Sequence, residues 1–301
     1  MTTVSTSSPV RVPAARCGVL AGVATSAIVG GSVPVTGMLD GYPLLTGQAL
    51  RYALGGLLLL GWALLRRRPL PRPAWSDLPA LAGLAATGMI GFQACLLLAQ
   101  RHAEPGLVAA VLGGSPLVLA ICAPLLAGRR PSATPILGAL LAAAGVVVLS
   151  GGGSGGGTGL LLAVLAMLCE ASFTLLAVGL VRRIGPLATA TWSCFTAAAG
   201  GAVAGTLADW GSAWRLPDGR ELIALLVLAV LVTAVAFVCW YFAVSTLGAD
   251  RAGVLIGVMP VSGLAVSVLL GAQTPQLADL AGIALVSLGV LVGLATRRRS
   301  P

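Results

Sequence analysis

Apolar residues fall along this chain in blocks of about twenty, each closed by arginine, proline or glycine, too long and too uniform for the alternation of barrel strands. Ten such blocks are read at about 17–38, 43–65, 78–99, 105–127, 133–150, 158–181, 187–208, 221–244, 252–271 and 278–296. Roughly 20 mostly apolar residues span a bilayer as a helix, so each block predicts a crossing and the predicted class is an all-α integral membrane protein with ten transmembrane helices. The first block follows a Ser/Thr/Pro-rich tail, residues 1–16. It is long and lacks a small-x-small site ahead of a soluble domain, so it reads as a retained span rather than a signal peptide.

Composition agrees: 57% of the 301 residues are hydrophobic and 9% charged, with a mean hydropathy of +1.00, beyond the range of ordinary soluble domains. A net charge of +9 invites a nucleic-acid reading, but the positions of the charges exclude it. All 18 basic residues are arginine. With the N-terminus in the cytoplasm, the inside connections hold Arg11, Arg16, Arg66, Arg67, Arg68, Arg72, Arg129, Arg130, Arg182, Arg183, Arg251, Arg297, Arg298 and Arg299. The outside connections hold Arg101, Arg215 and Arg220. That asymmetry predicts a multi-pass protein of the cell membrane with both termini cytoplasmic. The cluster RRRPLPRP can touch anionic lipid, though its first use is to hold the second and third helices.

The glycine-rich GGGSGGGTG at 151–159 has no following lysine, since the chain contains none, so it is no phosphate loop. It reads as a flexible linker between two halves. Shifted by about 144 positions, the first half matches the second without gaps: Gly113 with Gly257, Pro116 with Pro260, Pro131 with Pro275, Gly138 with Gly282, and Gly145-Val146 with Gly289-Val290. Chance likeness between apolar stretches is common, but prolines and glycines in one register are harder to reach by chance. Five helices per half is an odd number, so the second half enters from the opposite face and the repeat is inverted. The expected units are a tail 1–16, a first repeat 17–150, a linker 151–157, a second repeat 158–296 and a basic tail 297–301.

The chain resembles a ten-helix EamA-type member of the drug/metabolite transporter superfamily over about 17–296. TGQALRYALGGLLLL is similar to the family's arginine-containing start of helix two, and GADRAGVLIGVMPVSGLAVSVLLG to its helices eight to nine. PSATPILGALLAAAGVVVL and LADLAGIALVSLGVLVGL resemble the closing helix of each half. The family usually has a glutamate just before that helix, where this chain has Arg129 and Gln273, and often an aromatic residue near the position of Glu170. The resemblance implies export of a small metabolite, such as an amino acid or a drug-like compound.

Glu170 lies about 18 Å from the outer end of helix six at 1.5 Å per residue. A carboxylate at the bilayer centre costs roughly 2.5–3.5 kcal/mol, so it normally faces the interior or water and marks function. The role expected of it is proton coupling; the plain alternative is a hydrogen bond between helices. Arg51 is the other ionisable residue well inside a span. It is free to pair with Glu170 or meet a substrate carboxylate, or else to snorkel to the headgroups. Gln48 and Gln93 offer donors and acceptors or act as polar glue. Phe173, Trp192, Trp240 and Tyr241 line a substrate site or serve as packing and interfacial aromatics. Pro116 and Pro260, alongside Pro34 and Pro124, are expected to bend their helices, the first two as equivalent hinges.

The six cysteines, Cys17, Cys95, Cys122, Cys169, Cys194 and Cys239, show no paired spacing, so they read as packing residues, with neither disulfide nor metal site. An intramembrane enzyme needs a nucleophile with a base or a metal cluster, and the single histidine, His102, sits with Glu104 in a short outside loop, where both are expected to be solvated. The reading is therefore a secondary transporter whose partners are a small-molecule substrate and the lipid bilayer, without cofactor or nucleic acid. An exchanger, an importer and a lipid-binding membrane protein stay open as alternatives.

Overall fold

The computed structural model describes residues 12–39, 41–151, 153–209, 214–271, 274 and 276–295. Gln273, Pro275 and the arginines at 11 and 297–299 lie outside them. Among the described residues, nine helical runs are apolar and long enough to cross a bilayer: α1 (Ala14–Gly37), α2 (Leu44–Leu65), α3 (Trp75–His102), α4 (Pro105–Leu126), α5 (Ala133–Ser150), α6 (Gly157–Ala208), α7 (Gly219–Leu247), α8 (Ala249–Leu269) and α9 (Leu277–Leu294). The first helix begins at Val12, some residues before the expected start.

The predicted blocks 158–181 and 187–208 are joined in α6, because the arginines between them continue the helix. The run is nonetheless broken at Gly185, whose φ of 84° and ψ of 165° are not helical. A positive φ of this size favours glycine. Pro186 then restarts the helix, so α6 has two limbs, 157–184 and 186–208. Gly41, 144 positions earlier, has a φ of 82° and turns the chain between α1 and α2.

The same offset relates further departures from regular helix. Residues Ala85–Gly91 of α3 and Leu228–Val235 of α7 are π-helical. In α4 the helix stops at Leu112, turns through Gly113 and Gly114, and restarts at Ser115. In α8 a 3₁₀ turn occupies Leu255–Gly257. A proline ring clashes with the carbonyl four residues earlier and has no N–H to give it, which puts the strain of Pro116 on Leu112 and that of Pro260 on Ile256. The expected bends at these prolines therefore fall just before them, as breaks at glycine.

Packing is reciprocal between the halves. The first helix of each half, α1 or the first limb of α6, packs on the third and fourth helices of the other: α1 on α7 and α8, the first limb on α3 and α4. The second helices meet as α2 against the second limb, and the fifth helices as α5 against α9. A Cβ on Gly289 would lie 2.6 Å from the carbonyl oxygen of Gly138, and one on Gly145 would lie 2.8 Å from that of Gly282. Lipid supplies no hydrophobic drive between helices, so such backbone approach through small residues is what holds a seam.

The glycine linker is held rather than loose where it is described. Ser154 donates its N–H to Glu104 Oε2 at 3.0 Å and its hydroxyl to Oε1 at 2.9 Å, and Ala103 bridges to Gly155. Glu104 is thus an exposed loop residue, as expected, that also ties the linker down.

Candidate functional site

The site is built around α2. Arg51 is 4% exposed and Tyr52 1%. Arg51 Nη2 donates to the Tyr52 hydroxyl at 2.6 Å, and that hydroxyl donates to the Met89 carbonyl at 3.0 Å, inside the π segment of α3. On the other side a Cβ at Gly55 would lie 2.9 Å from Thr233 Cβ, in the π segment of α7. One helix thus touches both π segments, where single-turn irregularities commonly accompany function.

Aromatic rings close this centre. Phe173 of the first limb stands 5.6 Å from both Phe237 and Tyr241 of α7, centroid to centroid, and Phe237 stands 6.3 Å from Tyr52. Trp240 donates its indole N–H to Thr174 Oγ1 at 3.2 Å. These separations suit tilted aromatic packing. Several buried polar atoms here have no hydrogen-bond partner among the described residues: Gln48 Oε1, Arg51 Nε, Thr233 Oγ1 and the Tyr241 hydroxyl. An unmet buried polar group is costly, and a bound solute can meet it.

Of the residues expected at a site, Gln48, Arg51, Phe173, Trp240 and Tyr241 belong to this neighbourhood, Gln48 lying one helical turn before Tyr52 on the same face. Glu170 does not pair with Arg51: the described residues hold two ion pairs, Arg183 with Asp77 and Arg215 with Glu221. Instead the partly buried Glu170 lies beside Ser115, where α4 restarts after its break, and Ser115 Oγ makes no hydrogen bond of normal geometry. A restarting helix presents its positive end to such a carboxylate. Gln93 is partly buried on α3 just past the π segment. Trp192 is drawn elsewhere, its indole donating to the Pro71 carbonyl at 2.9 Å in the arginine-rich connection after α2.

Tyr52, Thr174, Thr233 and Phe237 were not singled out from the sequence. Tyr52 had one signal, its place beside the only arginine deep in a span; the threonines had none, because hydroxyls that bond their own helix are common in membrane helices.

A separate cavity of about 180 Å³ opens at the ends of α4, the first limb, α7 and α8, with Arg129, Arg182 and Asp250 in its wall. Arg129, which stands where the family pattern has glutamate, therefore faces a space shared by both halves.

Nine apolar runs among the described residues, reciprocal packing of two halves and a polar centre between them define a multi-pass membrane protein of the two-repeat transporter class. The chain belongs to the EamA-like transporter family, which matches residues 16–151 and again 157–294. It is 26% identical over 296 residues to YetK, an uncharacterized transporter of Bacillus subtilis (strain 168), covering 92% of this chain and 86% of that one. An uncharacterized transporter of Archaeoglobus fulgidus is 24% identical over 254 residues, 83% of this chain and 88% of its own. A solved crystal structure matches with a TM-score of 0.80 at 24% identity, over 94% of this chain and 99% of that chain. That likeness supports the helical fold.

Proposed function

We propose that this chain is a secondary transporter that exports a small metabolite across the cytoplasmic membrane by alternating access, with ten crossings in two inverted five-helix halves. The observation that carries the reading is the pairing of helix interruptions at one offset, Gly113 with Gly257 and the π segment of α3 with that of α7, around one buried polar centre. Paired discontinuous helices are where inverted-repeat transporters build their sites. The break at Gly185 supports a tenth crossing within α6, and the arginine asymmetry supports termini that are both cytoplasmic.

Arg51 has no carboxylate partner among the described residues, which supports its meeting an anionic group of the substrate, such as the carboxylate of an amino acid. Phe173, Phe237 and Tyr241 take the apolar part. Glu170, beside the break of α4, takes the coupling proton, and Pro116 and Pro260 set the bending points.

Flux in proteoliposomes against a metabolite panel, with and without a pH gradient, tests this reading. Substrate-dependent flux is expected; its absence across the panel would count against transport. Glu170→Gln keeps size and hydrogen bonding but cannot change charge. It is expected to insert and fold, to lose gradient-driven accumulation and to retain exchange. A wild-type gradient response in that variant would remove the proton role.

A further inference from the structure

Two acidic residues at equivalent positions, Asp77 and Glu221, each open the third helix of their half. Both are buried, 2% and 5% exposed. Each sits at the third position of a capping turn: Asp77 Oδ2 accepts from the Ala74 N–H at 2.8 Å, and Glu221 Oε2 from the Asp218 N–H at 2.8 Å. Each also holds an arginine, Asp77 by its second oxygen and Glu221 by both. The arginines, unlike the acids, are not at the same offset.

The two ion pairs lie at opposite ends of the bundle. Arg183 precedes the Gly185 break and also donates to Ser76 Oγ at 3.4 Å, so it ties the turn between the first two helices of the second half to α3 of the first half. Arg215 ties α7 of the second half to the corresponding turn of the first. Its guanidinium stacks 4.6 Å from the centre of the Tyr42 ring and reaches the Gly41 carbonyl at 3.4 Å, while the Tyr42 hydroxyl donates to the Arg215 carbonyl at 2.9 Å. Between these sites runs α2, of 22 residues, about 33 Å at 1.5 Å per residue. Arg183 thus joins a turn of one half to the third helix of the other through its ion pair, and Arg215 does so through Gly41 and Tyr42 while Glu221 of its own half holds it there, one at each membrane face.

We propose that Asp77–Arg183 and Glu221–Arg215 are the two gates of the transport cycle, the first closing the face that carries Arg66–Arg68 and the second the opposite face. Arg183 and Arg215 keep their side chains 50% and 42% exposed. Each gate is therefore reachable by water and able to release, while its buried acid keeps the backbone N–H bond of its capping turn. With both made, the centre at Arg51 is shut from both sides. This inference rests on the transport reading for its purpose, but its test has a separate readout.

That readout is thiol labelling of Cys194, fully buried and packed on Gly56, one turn past Tyr52. In a protein with Cys17, Cys95, Cys122, Cys169 and Cys239 replaced by serine, a membrane-impermeant maleimide is applied to one face of oriented vesicles at a time. Arg183→Gln is expected to raise labelling from the Arg66–Arg68 face roughly three-fold, the scale of an exposed ion pair, and Arg215→Gln to raise it from the other face. Labelling that is unchanged in both, or raised from the same face in both, overturns the proposal. Flux in the same vesicles separates the two claims. Face-specific labelling without flux removes transport and leaves the gates; flux without face-specific labelling removes the gates alone.

Discussion

The α5–α9 seam and the α4/α8 pair draw on the same residues, glycine among small aliphatics, and use them to opposite ends. In the seam the helices run unbroken, and glycines bring backbone against backbone at Gly138, Gly145, Gly282 and Gly289. In α4 and α8 equivalent glycines lie within the interruptions, with a proline three positions on. What separates a fixed contact from a break is therefore the neighbour rather than the glycine: a facing backbone in one case, a proline ring in the other.

The largest effect is expected where that backbone contact is filled. Gly289→Val would set a side chain 2.6 Å from both Ala142 N and Gly138 O, atoms that cannot move without moving a helix. Overpacking of this kind costs about 3 kcal/mol or more at a rigid contact, so the variant should give little monodisperse protein in detergent. Wild-type yield and melting would mean that the seam is compliant. Next come Pro116→Ala and Pro260→Ala, which are expected to lower flux several-fold while leaving membrane insertion and melting close to wild type. If flux is unchanged in both, the breaks belong to packing, like the seam.

A smaller effect is expected at the linker between the halves. The Ser154 N–H and hydroxyl hold the Glu104 carboxyl below its ordinary value of 4.5. A lowered value means that the carboxylate bonds are fully present above that ordinary value and are lost as pH falls through the lowered one. Protection of the Ser154 amide from exchange, taken relative to its intrinsic rate at each pH, should thus fall in acid, and Glu104→Gln should abolish that change in protection with little change in global stability. The smallest effect is expected at Gly179, exposed on α6 with nothing within 4 Å of an added Cβ. Gly179→Ala should be neutral or gain up to about 1 kcal/mol from helix propensity, and it calibrates the seam variant.

Much of this comparison was legible in the chain itself. The apolar blocks, the arginine asymmetry and the offset joining Pro116 to Pro260 pointed to helices, halves and bends, because hydropathy and proline act locally. The site was legible only in part. Arg51 and Glu170 stood out as charges in apolar runs, but their separation depends on which faces of α2 and the first limb turn inward, and small-residue helices are nearly uniform around their circumference. Trp192 read like a site aromatic, yet its indole N–H found the Pro71 carbonyl in a loop. The Arg183–Asp77 pair and the seat of Arg215 on Gly41 and Tyr42 were unreadable because each arginine reaches across to the helix or turn of the other half.

The π segments of α3 and α7 carry a bookkeeping of register. A helix advances about 100° per residue, and a π turn holds one residue more within each hydrogen-bonded ring than an α turn. Removing a single residue from 85–91 would let α3 run on as plain α-helix with Phe92 to His102 still on their present faces, whereas winding the segment as α-helix at its full length would swing them by roughly a quarter turn. The face that now meets the first limb would then look out to lipid. What a functional descendant of this chain has to keep in both halves is the match between the extra residue and the π turn that absorbs it: both can go together, but neither alone.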